Sequence, residues 1–177
     1  MTLVIRNAIL ADAQSIADIY AFHVLNGTAS FDTVPRTLSQ TQERISMISG
    51  RRWPFLVAEN YGRVVGYAYA TQFRDREAYA YSCENSIYVA AEQRGTGVGS
   101  ALLKELVIQA ERCGFRQMIA VVGGGEPGSI AVHAKAGFDH AGRMKSVGRK
   151  MGKWLDTVYM QRSLGTGDMT APGSEPS

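Results

Sequence analysis

Between Tyr88 and Leu103 the chain reads YVAAEQRGTGVGSALL. An apolar run is followed by an arginine, by Gly95, Gly97 and Gly99 at every second position, and by a second apolar run. Glycine loses more conformational freedom on folding than any other residue, so three spaced this way need a physical reason. The residues before them, Ile87 to Ala91, read as the end of a strand. Those after them read as a helix: Val98, Leu102, Leu106 and Ala110 recur on one face, Leu103 and Val107 lie beside them, and Gly114 is placed to stop it. The first N–H groups of a helix have no partner within it and carry partial positive charge. Bare backbone at that point lets an anion approach closely, and Arg94 adds a charged donor. The loop therefore suits a phosphate or pyrophosphate. It is neither of two common phosphate loops: no lysine follows Gly99, and the third glycine comes too early for G-x-G-x-x-G. Glycines at a helix start also permit close helix–sheet packing, and spacing alone leaves both readings open.

The elements around this loop give it a context. Leu3–Ala8 alternates as a strand, Asp12 reads as a helix N-cap, and Ile16, Ile19, Tyr20 and Val24 follow at helical spacing. Gly27–Thr37 is a loop and Leu38–Ser49 a second helix. Pro54 suits the start of a strand in RRWPFLVAEN. NYGR is a hairpin turn into VVGYAYATQF, and CENSIYVA is the next strand. After the glycine loop and its helix come an apolar strand at Arg116–Val122, a GGGEPG loop, and a short helix from Ser129 to Ala136 stopped by Gly137. Two last strands, around Phe138–Met144 and Trp154–Ser163, are joined by a basic loop. The order is β-α-α-β-β-β-α-β-α-β-β, which predicts an α/β mixed sheet with flanking helices in one domain, residues 1–164. Residues 165–177 have no apolar pattern and read as a disordered tail.

Charge and composition exclude several classes. The 177 residues carry a formal net charge of +3 and no dense basic run, so nucleic acid is not an expected partner. No apolar run is long enough to span a bilayer, and Arg6 and Asp12 break any signal-peptide core. Cys83 and Cys113 are the two cysteines, without metal-ligand spacing, which fits free thiols in a reducing cytoplasm and no metal site.

QRGTGVG resembles the pyrophosphate-binding motif of the GCN5-related N-acetyltransferases, and the element order matches that fold from Leu3 to about Leu164. ENSIYV, SIAVHAKAGF and VGRKMGKWLDTVYMQ are similar to the branch that acetylates phosphinothricin and methionine sulfoximine. The resemblance implies transfer of acetyl from acetyl-CoA to the α-amine of a small amino-acid-like acceptor by direct attack, and a homodimer. It implies a cofactor-binding set of Ile87, Tyr88, Val89, Arg94, Gly95, Thr96, Gly97, Val98, Gly99, Ser100, Glu126 and Ser129. The acceptor set it implies is Phe31, Arg74, Arg76, Tyr79, Glu84, Ser86 and Gly123. One position departs from the branch: Glu126 stands where an asparagine usually bonds the cofactor, and an ionised carboxylate accepts but does not donate.

Glu84 and His133 are the candidate catalytic residues. An ammonium cannot attack a thioester, so the acceptor must lose a proton. A strand glutamate whose pKa is raised by burial is a base for that step, although an isolated strand glutamate is commonly a solvated or ion-paired side chain. His133 stands where the superfamily often has a tyrosine that protonates the leaving thiolate; packing is the plainer role for it. A main-chain N–H near Val89 would polarise the thioester carbonyl. Arg74 and Arg76 suit an acceptor carboxylate unless Asp75 and Glu77 neutralise them. Two other readings compete: a non-catalytic acyl-CoA-binding protein, and a transferase for protein N-termini or aminoglycosides.

Overall fold

The computed structural model describes residues 3–174. Its strands are β1 (Leu3–Asn7), β2 (Phe55–Asn60), β3 (Arg63–Gln72), β4 (Ser82–Val89), β5 (Gln117–Gly123), β6 (Asp139–Lys150) and β7 (Lys153–Ser163). Its helices are α1 (Ala13–Asn26), α2 (Leu38–Gly50), α3 (Val98–Arg112) and α4 (Pro127–Lys135). The order along the chain is the predicted one. In space the seven strands run β1-β2-β3-β4-β5-β7-β6, so the last two exchange places. Only β4 and β5 pair in parallel, and α3 is the crossover that joins them.

The two sheet faces bury different helices, because side chains alternate along every strand. On one face Leu56, Ala68, Ala70, Cys83, Met118 and Ala120 pack beneath Val98, Leu102, Leu103, Leu106, Val107 and Ala110 of α3. Leu102 and Leu106 are fully buried, each contributing about 1.5–3 kcal/mol by burial. On the other face Phe55, Val57, Tyr67 and Tyr69 meet Ile16, Ile19, Tyr20 and Val24 of α1 and Ile45 and Ile48 of α2.

Both hairpin turns adjoining the site use positive φ. Tyr61 and Gly62 close β2–β3 at φ 50° and 75°, and Met151 and Gly152 close β6–β7 at φ 50° and 74°. Two left-handed residues in succession match the twist of an antiparallel pair. The second turn corrects the sequence reading. The basic stretch expected as a loop is the continuation of β6 to Lys150, with a register shift between Met144 and Gly148. Asp12 occupies the N-cap position of α1 as expected, but without a side-chain cap bond; its carboxylate takes Arg6 Nη1 and Nη2 at 2.8 Å each and the Ile9 N–H at 2.8 Å. A two-pronged charged contact outweighs a neutral cap.

From Gly165 the described chain continues as turns. Arg116 Nη1 donates to Gly167 O at 3.1 Å and Thr170 Oγ1 at 3.0 Å, and Nη2 donates to Ala171 O at 3.2 Å. The final part of the expected tail, residues 175–177, lies outside the described residues.

Candidate active site

The site begins where β4 and β5 part. Their pairing runs from Ser82↔Gln117 to Asn85↔Ala120 and stops. β4 goes on to Val89 against β3, and β5 goes on to Gly123 against β7. A wedge therefore opens between Ser86–Val89 and Val121–Gly123. The Ala90 N–H bonds Val65 O on the β3 side. Alternation then turns the N–H groups of Val89 and Ile87 toward the wedge, where no ladder partner remains. These are the donors an acyl carbonyl oxygen needs.

The glycine loop closes the wide end. Gly95 and Gly97 have φ of +76° and +94°, and a Cβ added to either would meet nothing within 4 Å. Packing therefore does not require these glycines; the left-handed backbone does. The close helix–sheet packing is met instead in β3, where a Cβ on Gly66 would lie 3.1 Å from Leu102, Val98 and the Tyr88 carbonyl. Gly97 is the N-cap of α3 and no side chain caps the helix there. The first N–H groups of α3 thus remain free for an anion. The Thr96 hydroxyl donates to Gln93 O at 2.7 Å and Arg94 is exposed beside it.

Glu126 has a role that its departure from the branch pattern did not reveal. It is the N-cap of α4, and its carboxylate accepts the Ser129 N–H at 3.1 Å. Ser129 in turn offers its carbonyl to His133 Nδ1 at 2.8 Å. Asparagine caps helices as well as aspartate or serine does. Glu126→Asn is therefore expected to leave the melting temperature nearly unchanged and to tighten acetyl-CoA binding by up to about tenfold, the reach of one net hydrogen bond. Weaker binding by calorimetry would show that the carboxylate itself serves the cofactor.

Glu84 projects onto the face covered by α1 and α2. Arg74 Nη1 lies 3.7 Å from its carboxylate. Burial pushes its pKa up, and the positive charges of Arg74 and Arg44 hold it down. Ser86 and Tyr88 project onto the same face, and Tyr69 of β3 stands opposite Ser86. Arg74 also lies over the Phe73 ring at 4.0 Å, and Phe73 meets Tyr79 edge-on at 5.7 Å. Asp75 and Glu77 form no ion pair with Arg74 or Arg76 among the described residues. Arg76 is exposed at the start of a short 3₁₀ turn, Glu77–Tyr79.

His133 lies on the other side of the sheet from Glu84. It is 4% exposed, and its Nε2 is 3.0 Å from the side-chain amide of Asn85. Glu84 and Asn85 are neighbours in a strand and point to opposite faces, so the structure does not bring the two candidate catalytic residues together. Burial lowers the His133 pKa. Its Nδ1 faces the Ser129 carbonyl and its Nε2 faces Asn85 Oδ1, while the Asn85 amide N–H donates to Ile119 O at 3.4 Å; both ring nitrogens thus face acceptors, and a neutral ring has an N–H for one of them.

The α1–α2 loop packs against the far end of β5, on the open side of the wedge. A Cβ on Gly123 would fall 2.8 Å from Ala29 O and 3.1 Å from Phe31, and one on Gly148 would fall 2.2 Å from Phe31. Phe31 is thus wedged between the end of β5 and β6. Lys150 Nζ donates to Ser30 O at 2.7 Å and holds the loop from the hairpin side. Three residues here escaped the sequence reading. His23 Nε2 is 2.8 Å from Val89 O, at the end of the wedge. Asn85 links β4 to α4, and Arg44 faces Glu84 from α2.

Residues 5–159 match the sequence profile of the acetyltransferase (GNAT) domain. A phosphinothricin N-acetyltransferase of Alcaligenes faecalis is 46% identical over 162 residues, covering 91% of this chain and 82% of its own. An L-methionine sulfoximine/L-methionine sulfone acetyltransferase of Pseudomonas aeruginosa is 37% identical over 165 residues, covering 93% and 96%. The crystal structure of a GNAT superfamily phosphinothricin acetyltransferase from Sinorhizobium meliloti, in complex with AcCoA, superposes with a TM-score of 0.96. It is 48% identical and covers 98% of this chain and 95% of its own.

Proposed function

The chain belongs to the GNAT acetyltransferase family, and we propose that it moves acetyl from acetyl-CoA to the α-amine of a small amino acid or analogue of the phosphinothricin or methionine sulfoximine type. The observation that carries this reading is the wedge between β4 and β5, with a free helix N-terminus at one end and Glu84 on its flank. The relatives named above act on acceptors of this kind, and an acetyl-CoA complex is known for the Sinorhizobium meliloti protein.

In this reading the N–H groups of Gly97 to Ser100, with Arg94 and Thr96, hold the pyrophosphate. The N–H groups of Ile87 and Val89 take the carbonyl oxygen as it gains charge. Glu84 takes a proton from the acceptor ammonium, directly or through water. The amine nitrogen forms its bond to the acetyl carbon, the carbon–sulfur bond breaks, the nitrogen gives its second proton to solvent, and the thiolate leaves and takes a proton from solvent. His133 acts by position, tying α4 to β4 through Asn85. Arg76 and Arg74, with Tyr79, meet the acceptor's acid group; Ser86, Phe31 and Gly123 bound its other side. The catalytic unit is residues 1–164. A homodimer is supported by the exposed Met144 and Val147 on β6, the free edge of the sheet, and by Trp154 on β7. Two free thiols support a cytoplasmic setting. No helix of the described residues is long and apolar enough to cross a membrane.

The acceptor assignment is tested with an amino acid and its amide. A partly desolvated arginine–carboxylate contact contributes about 1.5–3 kcal/mol, an exposed pair under about 1. Arg76→Ala is therefore expected to cost about tenfold or more in kcat/KM for the acid and much less for the amide. Equal losses for both would remove Arg76 from the acceptor site and favour a protein N-terminus as the target.

A further inference from the structure

The last peptide plane of β4, between Val89 and Ala90, is held at both edges. Its N–H, that of Ala90, donates to Val65 O at 2.9 Å on the β3 side. Its carbonyl, that of Val89, turns the other way, into the wedge, where β5 has already parted from β4. A side chain supplies the missing partner. His23, in the last turn of α1, places Nε2 2.8 Å from Val89 O. A carbonyl only accepts, so Nε2 carries the proton. Burial lowers the pKa of the ring, so at neutral pH it is uncharged and donates through that one N–H. Its neighbours fix its place. The His23 ring lies 5.5 Å from that of Tyr88 and 5.6 Å from that of Phe22, and Tyr88 packs in turn against Tyr20 and Tyr67 at 5.2 and 5.3 Å.

The contact acts on the group beside it. The N–H and the carbonyl of one strand residue leave the strand on the same side, so the Val89 N–H enters the wedge next to the carbonyl that His23 holds. A peptide plane is rigid. With the Val89–Ala90 plane pinned at its oxygen and at its N–H, only φ and ψ of Val89 separate it from the plane that carries the Val89 N–H. A neighbouring strand would bond the carbonyl and the N–H together and close the wedge. A lone histidine donor bonds the carbonyl and leaves the N–H free. Without it, this end of β4 keeps β3 on one side and no hydrogen-bond partner for Val89 O on the other. We propose that His23 is a positioning residue for acetyl transfer: it takes the place of β5 at the Val89 carbonyl and so keeps the adjacent Val89 N–H aimed at the thioester oxygen, a role that rests on the acetyl-transfer reading above.

Substitutions at His23 separate the hydrogen bond from the ring. His23→Phe keeps the packing against Tyr88 and Phe22 and removes the donor. His23→Gln keeps a donor at the place of Nε2, and His23→Leu serves if His23→Phe does not fold. Amide hydrogen exchange of the ligand-free protein reads the clamp directly. Ala90 is expected to exchange faster in His23→Phe by up to about tenfold, the reach of one net hydrogen bond, and at nearly the wild-type rate in His23→Gln. In turnover, His23→Phe is expected to lower kcat by about tenfold while CoA affinity by calorimetry stays unchanged, because the carbonyl oxygen gains its charge only in the transition state. His23→Gln is expected to recover most of that kcat. Unchanged Ala90 exchange in His23→Phe, an unchanged kcat, or equal losses in His23→Phe and His23→Gln overturns the proposal. The exchange measurement needs no substrate. An absence of acetyl transfer by the wild type would sink the acetyl-transfer reading and leave Ala90 exchange to decide whether His23 holds the peptide.

Discussion

Gly97→Val is expected to abolish measurable acetyl-CoA binding while the protein still folds. Gly97 sits at φ +94° with nothing within 4 Å of an added Cβ, so the side chain meets no protein atom. Its cost is conformational: a left-handed residue with a Cβ costs on the order of 1–2 kcal/mol, more when β-branched. In a domain of this size that lowers the melting temperature by only about 2–8 °C. The ligand suffers more. Two branches now stand in the space that the backbone left clear for a phosphate, and the main chain is driven away from the conformation that directs its N–H groups outward. Loss of several charge-assisted bonds, each about 1.5–3 kcal/mol, predicts a fall in affinity beyond 10²-fold. Calorimetry with CoA decides it. Unchanged affinity would show that the pyrophosphate lies elsewhere.

Features that depend on near neighbours were legible in the sequence. The α3 stripe, the Tyr61–Gly62 turn and the glycine loop are each written within one turn or one hairpin, and each took its expected form. The choice the glycines left open was decided by φ and by Gly66, whose partners on α3 are more than 30 positions away. What escaped depends on distant partners. His23 is a lone histidine on a helix until Val89, 66 residues on, places its carbonyl beside it. Lys150 belongs to a run of basic residues until the hairpin carries it to Ser30, 120 residues away. The same run hid the end of β6, since Lys and Arg on an exposed edge strand look like loop residues. Glu126 was recognised as a departure, but its function as a cap was written three residues ahead, in the spacing to Ser129. His133 shows the limit of reading a site by residue type: its place in the motif says nothing of which sheet face it occupies.

Glu84→Gln is expected to lower kcat by about 10²-fold or more, the usual scale for losing a general base, with little change in CoA affinity. The amide keeps the size of the carboxylate and removes its basicity. The opposing interpretation is that Glu84 only anchors Arg74, 3.7 Å away and half-exposed. Such a pair contributes under about 1 kcal/mol, too little for a 10²-fold loss, which needs about 2.7. The pH dependence separates the two further. Burial raises the folded-state pKa of Glu84 above its unfolded value. Wild-type kcat/KM is therefore expected to fall as pH drops through that raised pKa, because protonation removes the base, and Glu84→Gln should lack this acid limb. Stability has the opposite sign. A carboxyl whose folded pKa is raised destabilises the fold progressively as pH rises from its unfolded to its folded pKa, and the penalty is complete above both. The glutamine carries no such penalty, so at neutral pH the variant is expected to melt no lower than wild type while being nearly inactive. An acid limb that persists in the variant, or full activity across the pH range, would exclude Glu84 as the base and leave solvent or another group to take the acceptor's proton.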